Sequence, residues 1–249
     1  MAEQSRSKRI EELMVSNYRA KECEYSCTDI CKPTYQLWVQ NHTEFEEKHS
    51  KTVGMKSLIG SAVHEYFEKQ SVDGVVQELS WVRKLPDGTR IGGTADRLDW
   101  RYSINKWQLC DYKLKGDYSA KKFMGIGTKK FPNPKPEQDK EQLQLSIYRW
   151  LFEGMFDIED KAVIFMIIPG HASYSPLPEY SEVWLDLLPI ATVDQYIKGK
   201  LKIAEGDEAP DCDCDKAWMC RFCPFSKTCV ESTELPGEEA IHEFGKETT

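Results

Sequence analysis

The sequence has no apolar run long enough to span a membrane and no hydrophobic stretch near its N-terminus that would indicate a secretory signal. A G-x-x-x-x-G-K-[ST] phosphate loop is also missing, because GIGTKK at residues 125–130 does not fit that spacing. The 249 residues carry a formal net charge of −8, which argues against a general nucleic-acid binder. These absences predict a cytoplasmic protein with no membrane partner and no ATP motor of its own.

Hydrophobic residues make up 40% of the chain and aromatic residues 11%, values that indicate a folded soluble protein. We expect an N-terminal helical segment over residues 1–55, a core domain over 56–205, and a cysteine-rich segment with a tail over 206–249. Nine cysteines in a reducing compartment are better explained by metal binding than by disulfides.

Two predicted strands carry the first candidate site. The strands run over residues 90–100 and 107–113, after a further strand at 75–85 and a PDGT turn. Side chains alternate along a strand, so Asp111 and Lys113 are expected on one face and Tyr112 on the other. With Asp96 on the preceding strand, two carboxylates and a lysine converge, which suits a divalent metal and a phosphate. The alternative is an ordinary surface ion pair.

The remaining periodic segments predict a helix over residues 57–70 that carries His64, and a helix over 137–153 that carries Gln144 and Tyr148. A continuous apolar strand at 162–168 then completes a βαβ unit, with parallel strands. A further helix is expected over 192–205. A lone histidine on such a helix is more often structural than a metal ligand.

Residues 116–136, rich in lysine, glycine and proline, are predicted to form a long loop. Lysines interleaved with aromatic residues suit a phosphate backbone and stacked bases. The candidate DNA-binding lysines in and beside this segment are Lys115, Lys121, Lys122, Lys129 and Lys130. The alternative is a solvated linker.

The cysteines at the C-terminal end, Cys220, Cys223 and Cys229, have the spacing C-x2-C-x5-C, which is typical of a metal site. Three close ligands need a fourth, and Cys23, Cys27 and Cys31 are the nearest spare set. Spacing alone does not separate zinc from an iron–sulfur cluster, and the roles of Cys212 and Cys214 stay open.

The order of these elements resembles the PD-(D/E)XK nuclease superfamily. It is most similar to the RecB-type exonuclease branch with an iron–sulfur cluster, which includes AddB-type nucleases and the CRISPR-associated four-cysteine exonucleases. The resemblance runs from about Cys31 to Cys229. It implies an α/β fold with a restriction-endonuclease-like core, a mixed central sheet flanked by helices, and a cysteine-ligated cluster that joins the N- and C-terminal segments.

Residue by residue, the resemblance implies a site for Mg²⁺ or Mn²⁺ whose ligands are His64, Asp96, Asp111 and the Tyr112 carbonyl. The catalytic residues would be Asp96, Asp111 and Lys113. Gln144 and Tyr148 would contact DNA. A [4Fe–4S] cluster, rather than zinc, would be held by Cys31, Cys220, Cys223 and Cys229. Because Lys32 separates Cys31 from Pro33, unlike the family's usual Cys-Pro, Cys27 remains a candidate for the fourth ligand.

The implied function is a metal-dependent DNA exonuclease that acts on single-stranded DNA or DNA ends. A histidine ligand is softer than oxygen, so Mn²⁺ is expected to support activity at least as well as Mg²⁺. Protein partners in recombination, repair or CRISPR adaptation fit the resemblance. The alternatives are a non-catalytic module that binds DNA or protein, and a redox or metal-sensing protein in which the cysteines are the functional residues.

Overall fold

The computed structural model describes residues 23–43, 65–66, 73–127, 132, 134–168 and 177–213. Their centre is a six-stranded mixed sheet in the order β1-β3-β4-β5-β6, with β2 paired to β3. The strands are β1 (Tyr25–Ser26), β2 (Val75–Lys84), β3 (Arg90–Arg101), β4 (Lys106–Leu114), β5 (Lys161–Ile167) and β6 (Tyr180–Asp186). The helices are α1 (Cys27–Ile30), α2 (Thr34–His42), α3 (Asp117–Met124), α4 (Asp139–Leu151) and α5 (Ile190–Ala204).

Strands β2, β3 and β4, which correspond to the three predicted strands, form an antiparallel meander. The PDGT turn between β2 and β3 closes because the Leu85 amide donates to the Thr89 carbonyl at 2.8 Å and Gly88 takes a φ of 102°. Asn105 takes a φ of 56° in the next turn, a conformation that asparagine tolerates better than most residues. The three strands predicted here are confirmed.

Strands β4 and β5 are parallel neighbours, with Asp111 opposite Ile164, and the chain between them carries α4. The predicted βαβ unit is therefore confirmed. Strand β6, which the sequence analysis did not predict, adds antiparallel to β5. The result is the predicted α/β architecture, a central mixed sheet flanked by helices.

The prediction of an uninterrupted loop over residues 116–136 was wrong, because α3 occupies its first part. Asp117 in the first turn, Lys121 and Lys122 in the last turn, and Gly125 with a φ of 66° after the end are ordinary helix-terminus signals. The glycines and prolines further along the segment masked them in the sequence.

Several predicted site residues lie outside the described part of the chain: His64, Lys129, Lys130, Cys214, Cys220, Cys223 and Cys229. Of the helix predicted over residues 57–70, only residues 65–66 are described, and they are helical. Within the described ranges, no helix is long and apolar enough to cross a membrane.

The chain divides into two compact units. The first comprises Met1–Cys31 and Lys51–Lys198 and contains the sheet. The second comprises Lys32–Ser50 and Gly199–Thr249 and contains α2. The three-part division expected from the sequence stays a prediction.

The second unit is held together by contacts around α2. Trp38 Nε1 donates to the Gly206 carbonyl at 2.7 Å. The amide of Thr34 donates to Asp213 Oδ2 at 2.8 Å, so Asp213 caps the N-terminus of α2 from a distant part of the chain. The Tyr35 amide also donates to Asp213, at 3.3 Å. Burial alone would raise the pKa of the Asp213 carboxyl, but the hydrogen bonds from Thr34 and Tyr35 lower it below its usual value. The chain that leads to the C-terminal cysteines is thereby fixed to the start of α2.

Candidate active site

Asp96 lies where the sheet departs from regular pairing. The β2–β3 ladder pairs Gln77 with Arg97 and Leu79 with Ala95, and the intervening Glu78 has a left-handed φ of 47°. A positive φ costs a residue such as glutamate free energy, so this distortion is held by its surroundings. It places a strained backbone position directly across the ladder from Asp96.

On the other side of β3, the ladder to β4 ends at the pair of Arg97 and Cys110. Beyond that pair the two strands separate. The amide of Tyr112 on β4 donates to Asp96 Oδ2 at 3.0 Å, so the aspartate side chain replaces a backbone acceptor. Asp96 is thus fixed at the point where β3 and β4 diverge.

Asp111 and Lys113 share one face of β4, as their spacing predicts. Lys113 Nζ lies 3.0 Å from Asp111 Oδ1 and 2.8 Å from Oδ2. Asp111 is only 3% exposed, so its negative charge depends on this ammonium group. Burial on its own lowers the pKa of the Lys113 ammonium. The negative charges of Asp111, and then of Asp96 and Glu141, raise it by more, so the pKa of Lys113 lies above its usual value. The lysine is a cation among three carboxylates.

The Tyr112 ring lies on the opposite face, where Arg97 Nη1 donates to its hydroxyl at 2.9 Å. The N–H and C=O groups of one strand residue point to the same edge. Because the Tyr112 amide reaches Asp96, the Tyr112 carbonyl is directed to the same gap between β3 and β4.

The face of α4 that carries Gln144 and Tyr148 lies beside these residues. Gln144 Nε2 donates to the Tyr148 hydroxyl at 3.4 Å. The pKa of Tyr148 is raised by burial first and then by Cys27, with smaller effects from Asp111 and Asp96. The tyrosine is therefore within the field of both aspartates.

Tyr148 reaches this position because Gly93 leaves room for it. A Cβ atom at Gly93 would lie 2.6 Å from Cys27 Sγ and 2.8 Å from Tyr148 Cε1. Similarly, a Cβ at Gly92 would lie 2.8 Å from Cys23 Sγ. Both glycines therefore allow a close approach to the β3 backbone, and at Gly93 the neighbours that require it are Cys27 of α1 and Tyr148 of α4.

The described lysines predicted to bind DNA are all paired with carboxylates. Lys115 Nζ lies 2.8 Å from Glu141 Oε1. The other two pairs are Lys121 with Asp117 at 2.6 Å and Lys122 with Glu137 at 3.3 Å. The lysine-rich segment is therefore less strongly positive than its lysine content alone implies.

Glu141 is the residue of this site that the sequence analysis missed. It precedes Gln144 by three residues and Tyr148 by seven, so all three share one helix face. That spacing was the available signal. The structure adds its pairing with Lys115 and its effect on the pKa of Lys113.

Within the described ranges, no group of three or more histidine, cysteine, aspartate or glutamate side chains is arranged to hold a metal ion. Asp96, Asp111 and the carbonyl edge of Tyr112 nevertheless supply oxygen donors of the kind that Mg²⁺ and Mn²⁺ prefer. They fit part of a hard-cation site, and the predicted fourth ligand, His64, lies outside the described residues.

The three N-terminal cysteines differ in environment. Cys27 is fully buried, and burial raises the pKa of its thiol well above the usual value, with further contributions from Cys31 and Cys23. Cys31 and Cys23 are both partly exposed. The three thiols therefore lie near one another, but only Cys27 is enclosed by the core.

Comparison with known proteins identifies the family and a structure of similar fold. A family model of the PD-(D/E)XK nuclease superfamily matches residues 18–230. The solved structure of SSO0001 has a similar fold: it is 18% identical in sequence, 91% of this chain and 94% of that chain are covered, and the TM-score is 0.50. A search of curated protein sequences gave no match.

Proposed function

From the premise that the chain belongs to the PD-(D/E)XK nuclease superfamily, we propose that it is a metal-dependent deoxyribonuclease. Its mixed sheet flanked by helices fits the restriction-endonuclease-like core of that superfamily. The observation that carries the proposal is the pair of Asp111 and Lys113 at the divergence of β3 and β4. There, a buried carboxylate and an ammonium group meet beside Asp96.

The roles follow from the donor set. Asp96, Asp111 and the Tyr112 carbonyl, with His64, would hold Mg²⁺ or Mn²⁺. A bound ion of this kind lowers the pKa of a coordinated water and offsets the charge that develops on the phosphate. Lys113, kept protonated by its three carboxylate neighbours, would orient the attacking water and stabilise the phosphate oxygens.

We further propose that the substrate is single-stranded DNA or a DNA end, digested exonucleolytically. Helix α3 begins four residues after Lys113 and carries Tyr118, which is 56% exposed. Lys122 Nζ lies 5.3 Å from the centre of the Tyr118 ring. An exposed aromatic ring beside a lysine suits a stacked base and its phosphate, which requires unpaired nucleotides. Lys121, Lys129 and Lys130 would contribute to the same path, and Gln144 and Tyr148 would contact DNA at the site.

The proposal includes a structural [4Fe–4S] cluster held by Cys31, Cys220, Cys223 and Cys229. Cys31 is favoured over Cys27 because Cys27 is fully buried against Gly93. In addition, Asp213 is bonded to Thr34, which follows Cys31 by three residues in the chain. The C-terminal segment that carries the other three cysteines therefore starts beside α2.

The function is tested with end-labelled single- and double-stranded DNA and with circular single-stranded DNA, each incubated with Mg²⁺, Mn²⁺ or EDTA. We expect linear single strands to be shortened from an end with either metal, circles to be spared, and EDTA to stop the reaction. Cleavage of circular single-stranded DNA would show that the protein is an endonuclease and not an exonuclease. Tight binding of DNA without cleavage in any metal would favour the non-catalytic binding module.

The cluster is tested separately by iron and sulfide content. We expect Cys31→Ser to lose most of the iron, whereas Cys27→Ser, its matched control, keeps the iron but melts at a lower temperature because it buries a hydroxyl group. Iron lost only in Cys27→Ser would reverse the ligand assignment. Zinc without iron in the wild-type protein would remove the cluster from the proposal.

A further inference from the structure

The ion pair of Lys115 and Glu141 is mostly buried, unlike that of Lys122 and Glu137. The side chains of Lys115 and Glu141 are 20% and 13% exposed, whereas those of Lys122 and Glu137 are 41% and 51% exposed. An exposed pair contributes little to the structure, but a mostly buried charge has to keep its partner. Neither Lys115 nor Glu141 is therefore readily released to solvent or to a ligand.

The pair also lies where three elements around the site meet. Lys115 follows β4, and its amide donates to the Ile167 carbonyl of β5 at 3.0 Å. Its ammonium lies 4.6 Å from the centre of the Phe123 ring on α3, and Phe123 is 1% exposed. Glu141 lies in the first turn of α4. One ion pair thus connects the catalytic end of β4 with both helices of the crossover.

Glu141 shares its helix face with Gln144 and Tyr148, so the position of its carboxylate sets the rotation of that face. The rest of α4 is packed by buried side chains, including Trp150 and Leu151 at its far end. The first turn is held by polar contacts. Gln142 Nε2 donates to the Asp186 carbonyl of β6 at 2.7 Å, and the preceding Gln138 donates to the Phe123 carbonyl of α3 at 2.9 Å. The Glu141 pair with Lys115 adds the contact to the end of β4. Loss of the Lys115 contact would release the first turn of α4 from the end of β4 while its contacts with β6 and α3 remain.

We propose that Glu141 is a positioning residue of the catalytic site, acting through its ion pair with Lys115. The pair holds the first turn of α4 against the end of β4 and so keeps Gln144 and Tyr148 beside the catalytic residues. Lys115 consequently acts within this pair and does not contact the DNA backbone. This inference rests on the proposed nuclease function and deepens it.

The alternative, that Lys115 binds a phosphate of the DNA, predicts a different effect of the Glu141→Gln variant. If Lys115 bound DNA, Glu141→Gln would release it from a competing carboxylate, and DNA would bind more tightly. If the pair positions α4, Glu141→Gln instead leaves the buried Lys115 ammonium without its carboxylate partner at the end of β4. Likewise, Lys115→Gln leaves the Glu141 carboxylate to compete with Asp111 for Lys113.

The experiment compares Glu141→Gln, Lys115→Gln, the double variant and Lys115→Arg with the wild type. We expect each glutamine variant to lower kcat about tenfold with little change in KM, as a small misplacement of catalytic groups does. The double variant, which leaves no unpaired charge, should lose no more than either single variant. Lys115→Arg, which keeps the pair, should recover most of kcat. Lys198→Gln is the matched control: it breaks the exposed pair with Asp194 and should leave kcat unchanged.

A second measurement needs no cleavage: the dissociation constant for single-stranded DNA in EDTA across salt concentrations. We expect Lys115→Gln to keep the wild-type salt dependence. A slope smaller by about 0.7, or tighter binding by Glu141→Gln with unchanged kcat, would overturn the inference, because both indicate a phosphate contact. An inactive wild type would instead contradict the proposed function, and the salt dependence would still decide the role of Lys115.

Discussion

Replacing Asp111 by asparagine is expected to lower the rate of DNA cleavage by at least about a thousandfold, because the change removes a metal-binding charge while keeping the side-chain shape. Asp111 is 3% exposed, accepts a hydrogen bond from Lys113 through Oδ1, and has its Oδ2 2.8 Å from the same ammonium nitrogen. An amide in its place supplies one neutral oxygen and a donor group that would face the ammonium. The measurement is the single-turnover rate with saturating Mn²⁺.

Asp99→Asn is the matched control for this prediction. Asp99 is an aspartate of the adjacent strand β3 that also pairs with a cation, since Arg97 Nη2 donates to it at 3.0 Å. Arg97 in turn bonds the Tyr112 hydroxyl, so this network lies on the face of the sheet opposite Asp111. Asp99→Asn should retain the wild-type rate. An Asp111→Asn protein that is folded and cleaves at the wild-type rate would exclude this carboxylate from the reaction.

The arrangement of Asp111 and Lys113 follows from the sequence, because alternation along a strand requires residues two apart to share a face. The βαβ unit follows from the continuous apolar strand after the helix that carries Gln144 and Tyr148. In each case a local periodicity decides the answer. Long-range packing adds detail to these elements but does not change them.

The environment of Asp96 did not follow from the sequence. Its contact with the Tyr112 amide depends on the divergence of β3 and β4 and on the left-handed Glu78 across the ladder. No glycine or asparagine marks that position, so the strain at Glu78 has no local signature. Strain held by tertiary contacts is often found at functional sites, and here it lies across from a proposed metal ligand.

The net charge of the lysine-rich segment is a second feature that did not follow from the sequence. Counting residues predicts a strongly positive path for DNA, whereas the structure pairs Lys115, Lys121 and Lys122 with carboxylates. Only the i,i+4 pair of Asp117 and Lys121 could have been anticipated, once α3 was known to be a helix. The partners of the other two lysines, Glu141 and Glu137, lie on the far side of the glycine- and proline-rich stretch. Their proximity is a property of the fold.

Replacing Gly93 by alanine is expected to destabilise the protein by about 1–3 kcal/mol and to impair cleavage together with stability. The new Cβ would lie 2.6 Å from Cys27 Sγ and 2.8 Å from Tyr148 Cε1, and both neighbours are buried. Either α1 or the Tyr148 face of α4 has to move away from β3. Because Gly93 precedes Asp96 by three residues, that shift occurs next to the proposed metal ligands. Urea unfolding and kcat measure the two effects.

Two variants separate this packing effect from a general sensitivity to alanine. A Cβ at Gly199, in α5, would meet no atom of the described residues within 4 Å, so Gly199→Ala should stabilise the helix by up to about 1 kcal/mol. Adding Cys27→Ala to Gly93→Ala removes the sulfur contact but leaves the Tyr148 contact, so stability should recover more than kcat. If Gly93→Ala unfolds at the wild-type urea concentration, the close packing of α1, β3 and α4 does not hold Tyr148 in the site.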